Sequence, residues 1–387
     1  MTEPKPEARD SGGRIWVEDS HGRRPFMRGI MIHSLMGRGA SFETAFQAAS
    51  QIRDKLRGSD RIGRDELAAM VAEQFPDALE DRPLAVGPEI QVTGGREPSP
   101  FSKGVLSASL LAAAIEPEQA HEVGREIEAA LVARGDAFVE RAELRALAAE
   151  TLERRLGVRV AGRYSAWREF LDAERPLILL LAGAAGVGKS SLAQAVAHRL
   201  GIAGVTSTDA IRQVMRIMLG PELVPAIHAS SYDAHKVVAG SEQADDPVID
   251  AFRAQAATVS VGARAMIERA IEENTNLILD GVAVLPGLID AAQYADRAHV
   301  VFLVVATLEE KAFSGRFEKR ARGASGRPPH RYLGNLSAIL RIQDHILELA
   351  EQYDVPIVDN VDFDASVRSI LRHVTETLRK QSRGEGI

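Results

Sequence analysis

The chain has 387 residues, 45% of them hydrophobic and 26% charged, with a formal net charge of −7. This is a globular composition with material for two or three domains, and its acidity excludes a global basic field for nucleic acid. No cysteine is present, which removes disulfides, thiolate zinc sites and cysteine nucleophiles together. Residues 1–13 are polar, with Pro4, Pro6 and Gly12-Gly13, and lack the apolar centre of a signal peptide. They are expected to form a disordered tail. Apolar runs such as Leu177 to Ala182 are too short to span a bilayer. These features predict a cytoplasmic protein with neither membrane nor nucleic acid as partner.

Two segments, residues 14–80 and 89–157, look alike. Pro25-Phe26 matches Pro100-Phe101, Gly29 matches Gly104 and Ser34-Leu35 matches Ser109-Leu110, all shifted by 75 positions, as from Phe26 to Phe101. The shift becomes 77 positions at Glu66-Leu67 against Glu143-Leu144, as a loop insertion produces. Fixed-offset matches of this kind indicate an internal duplication. Each copy begins with an extended stretch (Ile15–Val17, Ile90–Val92) and a glycine turn (Gly22, Gly94-Gly95), then passes into helical periodicity. In the first copy Ile30, Leu35, Ala45, Ala48, Ala49, Ile52 and Leu56 share helix faces, and Arg64-Asp65-Glu66-Leu67 opens a further helix with acids in its first turn. Pro76 to Pro88 is the linker between copies. The segments resemble the ATP-cone, a small regulatory nucleotide-binding domain of a strand hairpin and a helical bundle. Members commonly carry a basic pair after the first Val. Here Val17-Glu18-Asp19 and Val92-Thr93-Gly94 stand instead, so the phosphate contacts that the resemblance implies are missing from that position.

From residue 163 to residue 380 the pattern alternates strands and helices. A helix is expected over Arg163 to Glu174. Strands are expected at Leu177–Ala182, Gly204–Ser207, Asn276–Asp280, Val300–Val305 and Val355–Val358. Helices are expected at Ser190–Leu200, Ala210–Met218, Ala256–Glu273, Leu333–Tyr353 and Leu371–Lys380, with a loose tail after Gln381. Apolar strands alternating with helices predict an α/β fold: a parallel sheet flanked by helices, preceded by two small, mainly helical repeats.

Gly183-Ala184-Ala185-Gly186-Val187-Gly188-Lys189-Ser190 matches G-x-x-x-x-G-K-[ST], between an expected strand and an amphipathic helix. Glycines let backbone N–H groups turn inward around a β-phosphate, and the helix adds its positive N-terminus. Lys189 then reaches the β- and γ-phosphates, the Ser190 hydroxyl binds Mg²⁺, and Ser191 meets the α-phosphate. ATP with Mg²⁺ is the expected cofactor pair; no Asn-Lys-x-Asp guanine-reading motif is present.

Leu277-Ile278-Leu279-Asp280 is a strand ending in an acid. Beside a P-loop strand, Asp280 would orient the magnesium shell. Thr208-Asp209-Ala210-Ile211-Arg212 follows the second strand at the carboxyl edge, where open α/β sheets bind ligands. Asp209 is a candidate base for an acceptor hydroxyl, with a helix N-cap as the alternative. Arg212 and Arg216 are candidates to grip an anionic acceptor, and His228, Ser230, Ser231 and Tyr232 to line its pocket. Gly315 to Tyr332 carries Arg316, Lys319, Arg320, Arg322, Arg327 and Arg331 against the single acid Glu318. Such a basic segment suits a lid that closes over phosphates, with Arg316 and Arg320 supplying charge to the transition state.

Leu180–Ser191, Thr206–Arg216 (with its Thr-Asp-x-Ile-Arg-x-Val-Met-Arg run), His228–Tyr232, Asp280–Gly287 and Arg316–Arg320 together resemble the 2-phosphoglycerate kinase family. Its members join an ATP-cone to a P-loop kinase domain and phosphorylate the free hydroxyl of 2-phosphoglycerate, giving 2,3-bisphosphoglycerate. The resemblance implies an ATP-dependent phosphotransferase acting on a small phosphorylated metabolite. It leaves homo-oligomerisation open. The chain departs from the family in two places: Asp280-Gly281-Val282-Ala283 stands where Glu-Gly-Val-His is usual, and the N-terminal unit is doubled. The alternatives are a nucleotide or other metabolite kinase, and a nucleotide-sensing regulatory P-loop protein without small-molecule turnover.

Overall fold

The structure, a computed structural model, describes residues 15–19, 22–37, 42–56, 58–74, 90–95, 97–135, 137–172, 174–238, 245–309 and 334–383. The N-terminal tail 1–13, the linker Pro76 to Pro88, residues 384–387 and the basic segment with Arg316 and Arg320 lie outside the described residues. The chain divides into two compact units, residues 1–87 and 88–387.

In the first unit, β1 (Trp16–Asp19) and β2 (Gly22–Pro25) form an antiparallel hairpin. Gly22 opens β2 opposite Asp19 and so belongs to the strand, where the sequence suggests a turn. Helices α1 (Arg28–Gly37) and α2 (Phe42–Lys55) follow, then β3 (Arg61–Gly63), parallel to β1, and α3 (Arg64–Gln74). Leu35, Ala45, Ala48, Ile52, Leu56, Ile62 and Val71 make its core.

The second unit begins with the same arrangement. It contains β4 (Gln91–Thr93), β5 (Ser99–Pro100), α4 (Lys103–Ala112), α5 (Pro117–Arg134), β6 (Phe138–Glu140) and α6 (Arg141–Leu156). The two small sheets have matching strand orders, β2-β1-β3 and β5-β4-β6. Trp16 lies opposite Pro25 and Arg61, while Gln91 lies opposite Pro100 and Phe138. These pairings carry the same shifts of 75 and 77 positions that relate the two sequences. Helix α7 (Val158–Phe170) continues from there, beginning before the expected Arg163. It buries Ala161 and Tyr164 in the core of the small sheet and Ala166, Trp167 and Phe170 in the main core.

The main sheet is built from β7 (Leu177–Ala182), β8 (Gly204–Ser207), β9 (Leu277–Gly281), β10 (His299–Ala306) and β11 (Ile357–Asp359). Its order is β11-β10-β7-β9-β8, with every pairing parallel. Leu177, Ile178, Leu179, Leu180 and Leu181 are all fully buried, as a central strand covered on both faces requires. Each such side chain contributes on the order of 1.5–3 kcal/mol. Covering helices are α8 (Lys189–Leu200), α9 (Thr208–Met218), α10 (Pro247–Glu272), α11 (Leu336–Gln352) and α12 (Phe363–Ser382).

Two helices begin well before the sequence suggests. Asp246 accepts from the Ile249 N–H at 3.1 Å, with Pro247 at the first helical position of α10. Asp362 accepts from the Ala365 N–H at 2.7 Å to start α12. In both, an acidic cap satisfies amides at a helix start where the sequence pattern suggests loop. β11 starts at Ile357, after Pro356, which lacks the N–H a strand interior uses.

Candidate active site

The parallel strands end at one edge, and the loop Gly183–Ser190 crosses it between β7 and α8. Gly183, Gly186 and Gly188 have φ of 149°, 92° and 89°, the left-handed side of backbone space that glycine occupies without a Cβ clash. At Gly183 a Cβ would lie 2.3 Å from the Val305 carbonyl oxygen of β10, so the neighbouring strand itself excludes any side chain there. Ala184 and Val187 are fully buried, which anchors the loop between its glycines.

Lys189 is only 8% exposed, and its Nζ donates to the Ala184 carbonyl at 3.0 Å. Ser190 Oγ donates to Asp280 Oδ2 at 2.6 Å. Asp280 reaches that position because β9 lies beside β7, with Leu181 opposite Asp280 and Ala182 opposite Gly281. Burial pushes the Asp280 carboxyl above the ordinary carboxylate range. The Ser190 hydrogen bond and the Lys189 charge pull it back, and the Asp209 charge pushes it further up. A lysine, a hydroxyl and a buried carboxylate thus meet at the start of one helix. Among the described residues no cluster of three His, Cys, Asp or Glu could cage a metal alone. One hydroxyl with one carboxylate instead suits Mg²⁺ held mainly by nucleotide phosphates and water. The residues present fit that ion: Ser190 would hold it, with Asp280 behind.

On the other side of β9, Asp280 lies opposite Ser207 of β8. Ser207, not Asp209, caps α9: its Oγ accepts from the Ala210 N–H at 3.2 Å. Asp209 therefore stands in the first turn with 69% of its side chain exposed, paired at 3.3 Å with Arg212. Thr208, 3% exposed, packs so tightly on Gly281 that a Cβ there would lie 1.7 Å from Thr208 Oγ1. This contact ties α9 to the strand that carries Asp280.

Beyond α9 the chain forms short 3-10 turns at Pro225–His228 and Ser231–Lys236. Arg212 donates from Nη1 to the carbonyls of Ile227 and Ala229, both at 3.1 Å. Buried Gln255 of α10 donates to the carbonyls of Ala226 and, at 3.1 Å, Ala229. His228 donates through Nε2 to the Leu219 carbonyl at 2.8 Å. Arg212 thus spends its guanidinium on the loop and on Asp209. Arg216 donates from Nη1 to Gln213 at 3.1 Å, and among the described residues its buried Nε has no hydrogen-bond partner. Tyr232 points inward and joins the main core, while Ser230 and Ser231 are half-buried.

Thr208 heads the Thr-Asp-x-Ile-Arg run that the sequence singles out, whereas Gln255 and Asn360 are not singled out by the sequence pattern. Asn360 follows β11 at the same carboxyl edge, and the strand-end rule that points to Asp209 and Asp280 applies to it equally. Gln255 carries no comparable sequence signal, because its role depends on which backbone packs against it.

No protein-family model matches the sequence. A 2-phosphoglycerate kinase from Pyrococcus horikoshii is 35% identical over 294 residues, covering 76% of this chain and 96% of the relative. The 2-phosphoglycerate kinases of Methanopyrus kandleri and Methanothermobacter thermautotrophicus are each 37% identical, covering 76% and 75% of this chain and 89% and 95% of theirs. The chain belongs to the 2-phosphoglycerate kinase family. As a member of the 2-phosphoglycerate kinase family it keeps every fixed position of the P-loop motif. About a quarter of the chain lies outside the match to the Pyrococcus 2-phosphoglycerate kinase, although that relative is covered almost completely. Ala283, where the resemblance leads one to expect histidine, is 8% exposed and packed in the main core. Among solved structures, a gluconokinase from Sinorhizobium meliloti aligns over 55% of this chain and all of its own, with 14% identity and a TM-score of 0.32. That likeness is too loose to bear on function.

Proposed function

We propose that this chain transfers the γ-phosphoryl group of ATP to the free hydroxyl of 2-phosphoglycerate, giving 2,3-bisphosphoglycerate. The observation that carries the proposal is the junction of Lys189, Ser190 and Asp280 at the mouth of a glycine-built loop. Relatives over most of the chain bear the corresponding name.

In this scheme the backbone of Gly183–Ser191 cradles the phosphates and Lys189 neutralises charge on the β- and γ-oxygens. Ser190, with Asp280 behind it, would hold a magnesium ion, which would supply further positive charge to the phosphates. Asp209 accepts the proton of the attacking hydroxyl as the new O–P bond forms and the bond to the ADP oxygen breaks. Arg216, with Ser230 and Ser231, faces the acceptor's carboxylate and phosphate, a task suited to planar guanidinium donors. Arg212 and Tyr232 shape that pocket. Arg316 and Arg320 would supply charge to the transferring group.

The test is direct. Enzyme with Mg-ATP and 2-phosphoglycerate should release ADP in step with bisphosphoglycerate. ADP no higher than in an enzyme-free blank rejects this acceptor. A panel of other phosphorylated and unphosphorylated acceptors then identifies a different kinase. Nucleotide binding without turnover on any acceptor points instead to a nucleotide sensor.

A further inference from the structure

Behind the phosphate loop lies a side chain that the scheme above does not use. Asn360, immediately after β11, is 3% exposed. Its backbone N–H donates to the Ala306 carbonyl of β10 at 2.8 Å. Its Nδ2 donates at 2.8 Å to the carbonyl of Val187, inside the P-loop. Among the described residues, its Oδ1 is buried without a hydrogen-bond partner.

Val187 stands between Gly186 and Gly188, both at positive φ. Glycines on either side leave the intervening peptide planes free to rotate unless something outside the loop holds them. A trans peptide sets its C=O and N–H on opposite sides of the plane. A donor fixed on the Val187 carbonyl therefore also fixes the direction of the Gly188 N–H, the last amide before Lys189.

We propose that Asn360 is a positioning residue for the nucleotide: by holding the Val187 carbonyl it presents the Gly188 N–H to the phosphates. The inference rests on the reading of this loop as a nucleotide site. An amide suits the task because the carbonyl is buried away from water and Nδ2 is a donor that reaches it. Aspartate offers only acceptors at pH 7, and leucine offers neither donor nor acceptor. The unpartnered Oδ1 sets up the discriminating measurement. Asn360→Leu removes this stranded acceptor and takes the Nδ2 donor from the Val187 carbonyl, so the two costs offset and stability changes little. Binding of phosphates should suffer alone.

The experiment compares wild type, Asn360→Leu and Asn360→Asp by calorimetric titration with Mg-ADP and with AMP, alongside thermal melts of the ligand-free proteins. Both variants should bind Mg-ADP about tenfold more weakly, the equivalent of one net hydrogen bond. The melting temperature of Asn360→Leu should stay within a few degrees of wild type. AMP affinity and the acceptor KM should not move. Wild-type affinity for Mg-ADP in both variants overturns the proposal. So does an equal loss of AMP affinity, which would make Asn360 a contact to the nucleoside. A loss confined to Asn360→Leu and matched by a fall in melting temperature would make it a packing residue, again against the proposal. Wild type that fails to bind Mg-ADP removes the nucleotide reading itself, an outcome separable from all of these.

Discussion

The two ends of the proposed active site are built differently. At the phosphate end, each element is held by a strand of the main sheet or the residue just past one: Gly183 against the Val305 backbone, Val187 by the short side chain of Asn360, and Ser190 by that of Asp280. At the acceptor end, the segment from Leu219 to Lys236 hangs from side chains, chiefly Arg212 and Gln255, and α9 leaves Ile217 and Met218 mostly exposed. A triphosphate has one shape in every reaction of this kind, so its cradle gains from being rigid. An acceptor pocket held by a few long side chains can be re-shaped by changing one of them.

The sharpest way to break the contrast is at the rigid end. Lys189→Ala should lower kcat for phosphoryl transfer about 10³-fold, by loss of a preorganised charge, and steady-state assay of ADP release checks it. Asp280→Asn should cost about 10²-fold in turnover and raise the magnesium concentration needed for half activity.

The same Asp280→Asn substitution should also change how stability depends on pH. Burial lifts the Asp280 carboxyl above its ordinary value, so the folded state holds this proton more firmly than the unfolded state does. Its contribution to stability is complete below the ordinary aspartate range and is lost as pH rises through the raised value. Melts of the ligand-free proteins should therefore show Asp280→Asn gaining on wild type as pH increases across that window. A constant difference would contradict the burial argument.

The softer end should respond in a different parameter. Arg212→Lys keeps the charge but cannot bridge two carbonyls and Asp209 together. It should raise the acceptor KM about tenfold while the ATP KM holds, because a charge-assisted hydrogen bond disappears from the acceptor side alone. Gln255→Leu should have the smallest effect. It takes the side-chain donor from the Ala226 carbonyl, which keeps the Ala229 N–H at 3.3 Å, while the Ala229 carbonyl keeps Arg212. The loss should cost about 1 kcal/mol in chemical denaturation with a few-fold change in acceptor KM. Equal effects of either substitution on both substrates would erase the distinction between the two ends.

The same contrast explains what the amino-acid pattern could reveal. β7 and the P-loop are legible because apolar run, glycines, lysine and serine lie within one short stretch. Asp280 is legible because a strand ending in an acid has a known place beside such a loop. The three-residue strands β3 and β6 are too short to show a period and are visible only through their pairing partners. The starts of α10 and α12 are hidden because Asp-Pro and Asp-Phe resemble turn chemistry as much as capping chemistry. Arg212 carries the right charge for an anion, yet its hydrogen bonds go to two backbone carbonyls brought near by the fold. No local pattern encodes that choice.

Helix α7 has a consequence beyond joining two regions of the chain. One stretch of it is sealed inside the small sheet's core and the other inside the catalytic core, and a single helix cannot unwind in one without loosening the other. The second repeat is therefore no detachable appendage. Strain or ordering in that small sheet has a mechanical route to the strand that opens the phosphate loop, and heat should melt both in one cooperative step.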